Sequence, residues 1–505
     1  MGRRSARGPI EPDVTAPEAT RPVTKLEHLM DSAPWRALER GVERGRTLRR
    51  RWRQRRAADR SPPKGPAPEQ RLERALRRSA FGEAEAIADA LEDALPSLPE
   101  ARRPAVAAAV LDWLFVSGQT ERARALAARH RDALLAHPRG HAALDALGLR
   151  DTPSVWLPDG KPNFYGLAAG LARGTVDGEA LVASLARRPD AFLRHPQLHL
   201  LAYLAHRVEA PAAAERSLNR FLRVHRLSPC RLGAGGSFLA GLRCEPGPPV
   251  HDGPLVSVVM SAFDAEDTVA YAVDSLLAQT YRRLEVLVCD DASRDGTRAL
   301  LERRYGDEPR VRLFASEANQ GTYNARNALL ARARGELLTF QDADDLALPE
   351  RIARQVRALR DADACATRWI RVSEDGRVVF FRDQNAVRLC VVSLMMRRRV
   401  YDAVGPYRPA RFGADLEVFE TVRARFGVRR LRAPLLLGLW AERSLTRTSG
   451  AEALEDGYRA PSRRVYAELL GRAVATGSPE ARAELDEAVR ASGNRAEPRP
   501  IVALD

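Results

Sequence analysis

A chain of 505 residues that is 45% hydrophobic can bury more than one core, so several domains are expected. Its net charge of +15, from 81 Lys and Arg against 66 Asp and Glu, is almost all arginine, with lysine only at Lys25, Lys64 and Lys161. That bias belongs partly to GC-rich coding, and no reader motif accompanies it, so no nucleic-acid partner is expected. No run reaches the ~18 to 20 apolar residues of a membrane span. No apolar core follows Arg3 and Arg4 as in a secretory signal, and a cytoplasmic location is the expectation.

Residues 1–66 read as a disordered basic arm closing on Ser61-Pro62-Pro63-Lys64-Gly65-Pro66. Residues 1–60 hold 16 basic and 8 acidic side chains, more than half of the whole excess. The run Arg49 to Arg56, with Trp35, Leu48 and Trp52 beside it, suits an anionic membrane surface, here the inner face of the plasma membrane. The competing reading is a solvated arm with no partner.

Residues 67–244 are Ala/Leu/Arg-rich with helical periodicity and read as an α-helical domain. Two stretches resemble tetratricopeptide helix pairs: Trp113-Leu114-Phe115-Val116 leading to Ala123 and Leu126, and Leu201-Ala202-Tyr203-Leu204 leading to Ala214, Leu218 and Phe221. Three clean copies are absent, so both a protein-partner surface and simple packing on a catalytic domain stay open. Trp156 to Asn163 reads as a loop. A Pro/Gly linker follows over 245–254, containing Glu245-Pro246-Gly247-Pro248-Pro249. The five cysteines, Cys230, Cys244, Cys289, Cys365 and Cys390, are odd in number and lack metal-ligand spacing. They read as buried free thiols in a reducing compartment.

From Leu255 the period changes. Leu255 to Met260 is an apolar strand ending in Ser261-Ala262-Phe263-Asp264, with a helix to about Gln279. Leu284 to Cys289 is a second, ending in Asp290-Asp291-Ala292-Ser293. Val311 to Phe314 is a third, leading through Asn319-Gln320-Gly321 into a helix with Asn324, Arg326 and Asn327. A fourth, Leu337 to Phe340, stops in Gln341-Asp342-Ala343-Asp344-Asp345 before a helix started by Pro349. Strands alternating with helices imply a mostly parallel, doubly covered sheet. Ligands of such sheets sit at the carboxyl ends of the strands, where Ser261, Asp291, Arg326, Asp342 and Asp344 collect. Asp342 and Asp344, two apart, can share one hard cation such as Mg²⁺ or Mn²⁺.

Residues 255 to about 425 resemble the catalytic domain of glycosyltransferase family 2, an inverting, nucleotide-sugar-dependent group with a GT-A fold. The matching phrases are Val256 to Met260, Ser275-Leu276-Leu277-Ala278-Gln279-Thr280-Tyr281, Val288-Cys289-Asp290-Asp291-Ala292-Ser293, Ala325-Arg326-Asn327 and Asp342 to Asp345. The family usually has Pro or Thr and then Tyr-Asn after its first strand. Ser261-Ala262-Phe263-Asp264 departs from that, losing a hydroxyl but keeping a ring able to stack on a base. The resemblance implies a GT-A type, Rossmann-like domain over 255–450; residues 451–505 read as a C-terminal helical segment, helical over 451–490, and tail.

It also implies roles. Asp291 accepts the base-edge N–H of the nucleotide, framed by Ser261 and Phe263. Arg326 contacts ribose or diphosphate, or orients Asp342; Asp342 reaches ribose or metal; Asp344 ligates Mn²⁺ or Mg²⁺; Asp345 supports the site or caps a turn. Asp415, in Gly413-Ala414-Asp415-Leu416-Glu417, is the base, against the alternative of a helix N-cap. Glu417 is a weaker candidate that could instead pair with Arg423 or Arg425. Pro434 to Trp440 reads as a last strand, and Arg443 to Gly450 as a polar loop closing over donor or acceptor. With no Gln-x-x-Arg-Trp motif, transfer of one sugar per encounter is expected. The expected donor is a nucleoside-diphosphate sugar, a UDP-sugar foremost. The acceptor is carbohydrate or lipid-linked, in cell-surface polysaccharide or glycolipid assembly. Two rivals stand beside this reading. A nucleotidyltransferase needs a Gly-rich, Lys-containing phosphate loop that Ser261 to Asp267 is not. A helical scaffold with a dead transferase domain sits poorly with Asp291, Asp344 and Asp415 together.

Overall fold

The computed structural model describes residues 67–441, 479–491 and 497–504, apart from 78–80, 117–118, 148, 151–152, 234–236, 382 and 412. The N-terminal arm, the loop Arg443 to Gly450 and the helix expected from 451 to 478 lie outside the described residues. Buried apolar side chains fall into two clusters. In the first, helices Pro68–Arg77, Phe81–Ala94, Arg103–Val116, Thr120–Arg129 and Pro138–Ala146 enclose Leu72, Leu95, Leu111, Trp113, Leu126 and Leu144. Arg103–Val116 is its centre: Val106 to Leu111 are all buried, as the nearly uninterrupted apolar run requires.

The second cluster joins the remaining upstream helices to the sheet. Phe164, Leu167, Leu201, Tyr203 and Phe221, from helices Phe164–Arg173, Leu198–His206 and Pro211–Val224, share one core with the strands. The two tetratricopeptide-like stretches are thus helix pairs in different clusters. Trp156 to Asn163 is the expected loop, pinched by a bridge between Trp156 and Pro162.

One expectation is corrected. Cys230 and Cys244 face each other in a two-stranded antiparallel clip and form a disulfide, while Cys289, Cys365 and Cys390 are free and buried. Asn219 holds the clip, accepting from Cys230 N at 2.8 Å and donating to Cys230 O at 2.9 Å. A turn of helix, Phe238–Gly241, separates the two strands, so the sequence carries no hairpin signal for the pairing. The thiol argument for a reducing compartment does not apply to this pair.

The large sheet has ten strands: β1 Val256–Ala262, β2 Leu284–Asp290, β3 Val311–Ser316, β4 Leu337–Phe340, β5 Asp345–Ala347, β6 Ala364–Val372, β7 Val387–Leu389, β8 Met395–Arg397, β9 Arg429–Leu439 and β10 Ile501–Ala503. Their order is β10-β3-β2-β1-β4-β8-β6-β9-β5, with β7 alongside β6. β3, β2, β1 and β4 are parallel neighbours, as are β6 and β9; β8, β5, β7 and β10 pair antiparallel. β1, β2 and β4 are apolar nearly throughout because helices cover both faces. The helices are α1 Val269–Leu277, α2 Thr297–Tyr305, α3 Thr322–Leu330, α4 Arg351–Ala358, α5 Arg398–Val404, α6 Ala414–Arg425 and α7 Pro479–Ala491. The mixed α/β architecture with a helical N-terminal region is the one expected. No helix among the described residues is long and apolar enough to cross a membrane.

Candidate active site

The loops leaving β1 and β2 are stitched together before any ligand arrives. Asp264 N donates to Ser293 Oγ at 3.0 Å, Arg294 N to Asp264 Oδ1 at 2.8 Å, and Gly296 N to Glu266 Oε2 at 2.9 Å. Asp264 and Ala292 adopt φ of 46° and 61°, a left-handed bend that shapes both loops. Ser261 is half-buried. Phe263 is 37% exposed, with the Arg294 guanidinium 5.5 Å from its ring, so an open aromatic face and a cation flank this end of the cleft.

Asp291 stands differently from the other candidates. It is buried, and its two oxygens accept from Gln320 N at 3.1 Å and Gly321 N at 2.8 Å. Burial raises its pKa, against the pull of these two backbone donors. Its immediate work is to fix the turn that opens α3, a use the sequence did not disclose.

α3 then carries two functional side chains one turn apart. Arg326 is buried, and its Nη2 donates to Asp342 Oδ1 at 2.5 Å, while its Nε has no hydrogen-bond partner. Burial pulls the Arg326 pKa down, but Asp342 and, more weakly, Asp415 outweigh it and the net shift is upward. Of the roles expected for Arg326, the bond to Asp342 is present in this structure, with Nε left over. Asp344 is half-buried; burial raises its pKa and the neighbouring Asp342 charge adds to the rise. Asp345 is no turn cap. It begins β5, fully buried, with neither oxygen hydrogen-bonded and Arg371 Nη1 3.8 Å away.

Two residues that sequence reading passed over hold this turn. Gln341 Nε2 donates to Asp345 O at 3.0 Å and to Ala272 O at 3.1 Å, and its Oε1 accepts from Arg351 Nη1 at 2.7 Å. Arg351 also donates to Phe340 O at 2.6 Å; burial brings its pKa down to about 10. A buried cation behind a crowded carboxylate turn lowers the cost of assembling that negative charge.

Across the cleft, Gly413 with φ 86° starts α6 and Asp415 is its second residue. No side chain caps this helix, so the cap reading of Asp415 is removed. Asp415 Oδ1 accepts from the Tyr323 hydroxyl at 2.9 Å, and the same hydroxyl accepts from Gly413 N at 3.1 Å. Tyr323 and Arg326 lie at i and i+3 on α3 and so share a face. That spacing was the available signal for Tyr323. Tyr407 stacks on Tyr323 with ring centres 5.5 Å apart and is clipped to Asn327 by bonds of 2.8 and 2.9 Å. Glu417 is not a base candidate here: both its oxygens bind Arg408, at 2.8 and 2.9 Å, whereas Arg423 pairs with Glu420. α3 therefore ties the Asp342 side of the cleft to the Asp415 side.

The wall beside these carboxylates comes from β6 and β9. Arg371 lies 3.6 Å from the Trp369 ring and 5.7 Å from that of Trp440, whose centre is 5.9 Å from Phe381. Upstream helices grip the loop 373–386 that delivers Phe381. Tyr203 Oη donates to Gly376 O at 2.8 Å, Phe164 stacks on Phe380 at 5.3 Å, and Gln197 Oε1 accepts from Ala386 N at 2.7 Å.

A strand-end carboxylate turn, a cation on the following helix and a carboxylate at the start of α6 are thus held together by side-chain hydrogen bonds. The Glycosyl transferase family 2 model matches residues 257–423. EpsE of Bacillus subtilis (strain 168) is 31% identical over 184 residues, 32% of this chain and 63% of that one. The succinoglycan biosynthesis protein ExoO of Rhizobium meliloti (strain 1021) is 36% identical over 150 residues, 29% of this chain and 42% of that one. The Escherichia coli UDP-Glc:alpha-D-GlcNAc-diphosphoundecaprenol beta-1,3-glucosyltransferase WfgD is 39% identical over 106 residues, 21% of this chain and 41% of that one. The chain thus spans less than two thirds of the length of these relatives.

Proposed function

We propose that the protein is an inverting glycosyltransferase. It moves a sugar from a nucleoside-diphosphate sugar, a UDP-sugar foremost, to a hydroxyl of a carbohydrate or lipid-linked acceptor. The observation that carries this reading is the double attachment of α3, to Asp342 through Arg326 and to Asp415 through Tyr323. Asp415 takes the acceptor hydroxyl proton while that oxygen bonds the anomeric carbon. On the opposite face the bond from that carbon to the diphosphate oxygen breaks, and its electron pair leaves with the nucleoside diphosphate. The acceptor oxygen enters behind the leaving group, so the centre inverts.

Phe263 and Ser261 frame the base, and Asp291 shapes that end of the slot by holding Gln320 and Gly321. Arg326 keeps Asp342 aimed into the cleft. Asp342 and Asp344 offer hard oxygen donors under like-charge crowding, backed by the unbonded oxygens of Asp345, and such a set fits Mg²⁺ or Mn²⁺. When bound, the cation neutralises charge developing on the departing diphosphate. Among the described residues no group of three or more His, Cys, Asp or Glu side chains is placed to hold a metal, so Asp342 and Asp344 would hold the cation only together with ligands from outside the chain.

ExoO is named for succinoglycan biosynthesis and WfgD for a diphosphoundecaprenol-linked acceptor, which supports a role in cell-surface polysaccharide or glycolipid assembly. Transfer of one sugar per encounter, a cytoplasmic enzyme resting on the inner membrane face through residues 1–66, and helices 164–241 acting as the acceptor wall complete the proposal. The test is nucleoside diphosphate release from a panel of nucleotide sugars with Mn²⁺. Release from one UDP-sugar supports the reading, and none from any donor removes it.

A further inference from the structure

The family match ends at residue 423, yet two described pieces of the chain beyond β9 return to the cleft from opposite sides. α7 buries Leu485 and Val489 in the core shared with the sheet, and Asp486 forms an ion pair with Arg408. Arg408 is the same residue that grips Glu417, two positions from Asp415 on α6. At the other edge β10 pairs antiparallel with β3, Ile501 opposite Ser316, and Arg332 Nη2 donates to Ile501 O at 3.1 Å. Two residues earlier, Arg499 N donates to Gln320 Oε1 at 2.8 Å.

Gln320 is the hinge of the donor side. Its side-chain Nε2 donates to Ser316 Oγ at 3.1 Å and its backbone N to Asp291 Oδ1 at 3.1 Å. Gly321, next in line, has φ 81° and begins α3, which carries Tyr323 and Arg326. A left-handed glycine at a helix start leaves the direction of that helix to whatever holds the residues before it. Here those holders are Asp291 and the C-terminal tail. The tail therefore reaches the start of the helix that presents Arg326 through Gln320, and α7 reaches the helix that presents Asp415 through Arg408.

We infer that residues 479–491 and 497–504 are positioning elements for the transferase cleft: β10 and Arg499 set the donor loop through Gln320, and α7 sets α6 through Arg408. Gln320 and Arg408 are positioning residues, touching the reaction only through Asp291 and Glu417. The inference rests on the proposed function.

The test uses UDP as probe and measures its Kd by calorimetry for the intact chain, for the chain ending at residue 496, for Gln320→Ala and for both changes together. Each single change should weaken UDP binding about five- to tenfold. The two changes share the Arg499–Gln320 contact, so the loss in the double change should be less than the sum of the two single losses. Asp486→Asn should lower kcat while leaving the UDP Kd within about twofold. If shortening the chain destabilises it, Gln320→Ala in the full chain still reads the same contact. Unchanged UDP affinity in a folded tail variant and in Gln320→Ala, with tight binding by the intact chain, overturns the positioning role alone. Additive losses in the double change also overturn it. Failure of the intact chain to bind UDP or any other nucleoside diphosphate overturns the transferase reading, and the positioning role falls with it.

Discussion

Removing one hydroxyl, by Tyr323→Phe, probes the join between the two halves of the cleft. That oxygen donates to Asp415 Oδ1 at 2.9 Å and accepts from Gly413 N at 3.1 Å, so its loss frees Asp415, the proposed base, and takes away that acceptor of the Gly413 amide. Burial first, then the negative charge of Asp415, pushes the Tyr323 pKa well up, so the group stays a donor throughout the working pH range. A hydrogen bond to a charged group is worth about 1.5–3 kcal/mol. If that alignment is lost in the transition state, kcat falls about 10- to 100-fold. The ring remains and keeps its stack on Tyr407 at 5.5 Å, so the fold should survive. The assay is nucleoside diphosphate release at saturating donor, with acceptor varied, beside a UDP binding measurement. The account expects a lower kcat with the UDP Kd within about twofold of the parent. A kcat equal to the parent's would refute the claim that α3 holds the base.

Asp344→Ala should abolish turnover in a folded protein, and excess EDTA should do the same to the parent; full turnover in EDTA would dismiss the metal. Deleting residues 1–66 should abolish binding to anionic vesicles while turnover on a soluble acceptor persists. In the intact chain that binding should weaken with salt, each basic residue contributing about 1 kcal/mol near the surface; equal sedimentation of both forms would remove the arm from the account. Thiol titration of the denatured, unreduced protein should find three of the five cysteines, Cys289, Cys365 and Cys390, and five would restore the all-thiol expectation.

The elements legible in the sequence were those whose burial leaves a long trace. β1, β2 and β4 are apolar because both faces are covered, and the carboxylates at their ends stood out by contrast. β5, β7, β8 and β10 are three residues each, too short to show any period, and pair only because neighbouring strands are already in place. The strand expected from Pro434, where β9 becomes buried, begins at the exposed Arg429 and is not the last, since β10 follows it. Arg351 and Gln341 look like ordinary surface residues of a helix and a turn, and only tertiary packing turns them inward. Glu417 was expected to pair with Arg423 or Arg425, which lie six and eight positions on and so beyond the i, i+4 reach of a helix; it pairs with Arg408 from the preceding loop. Asp291 was recognisable as a strand-end carboxylate, whereas the direction of its oxygens depends on a loop thirty residues away.

The central claim is that Asp415 removes the acceptor proton at a site separate from nucleotide binding, and Asp415→Asn measures it most directly. The amide keeps the shape and accepts the Tyr323 hydrogen bond but takes no proton at neutral pH. With UDP affinity measured on the same preparation, the account predicts a Kd within about twofold of the parent and a kcat lower by roughly 10²- to 10⁴-fold. A variant that turns over like the parent but binds UDP poorly would contradict it and place Asp415 in the donor site.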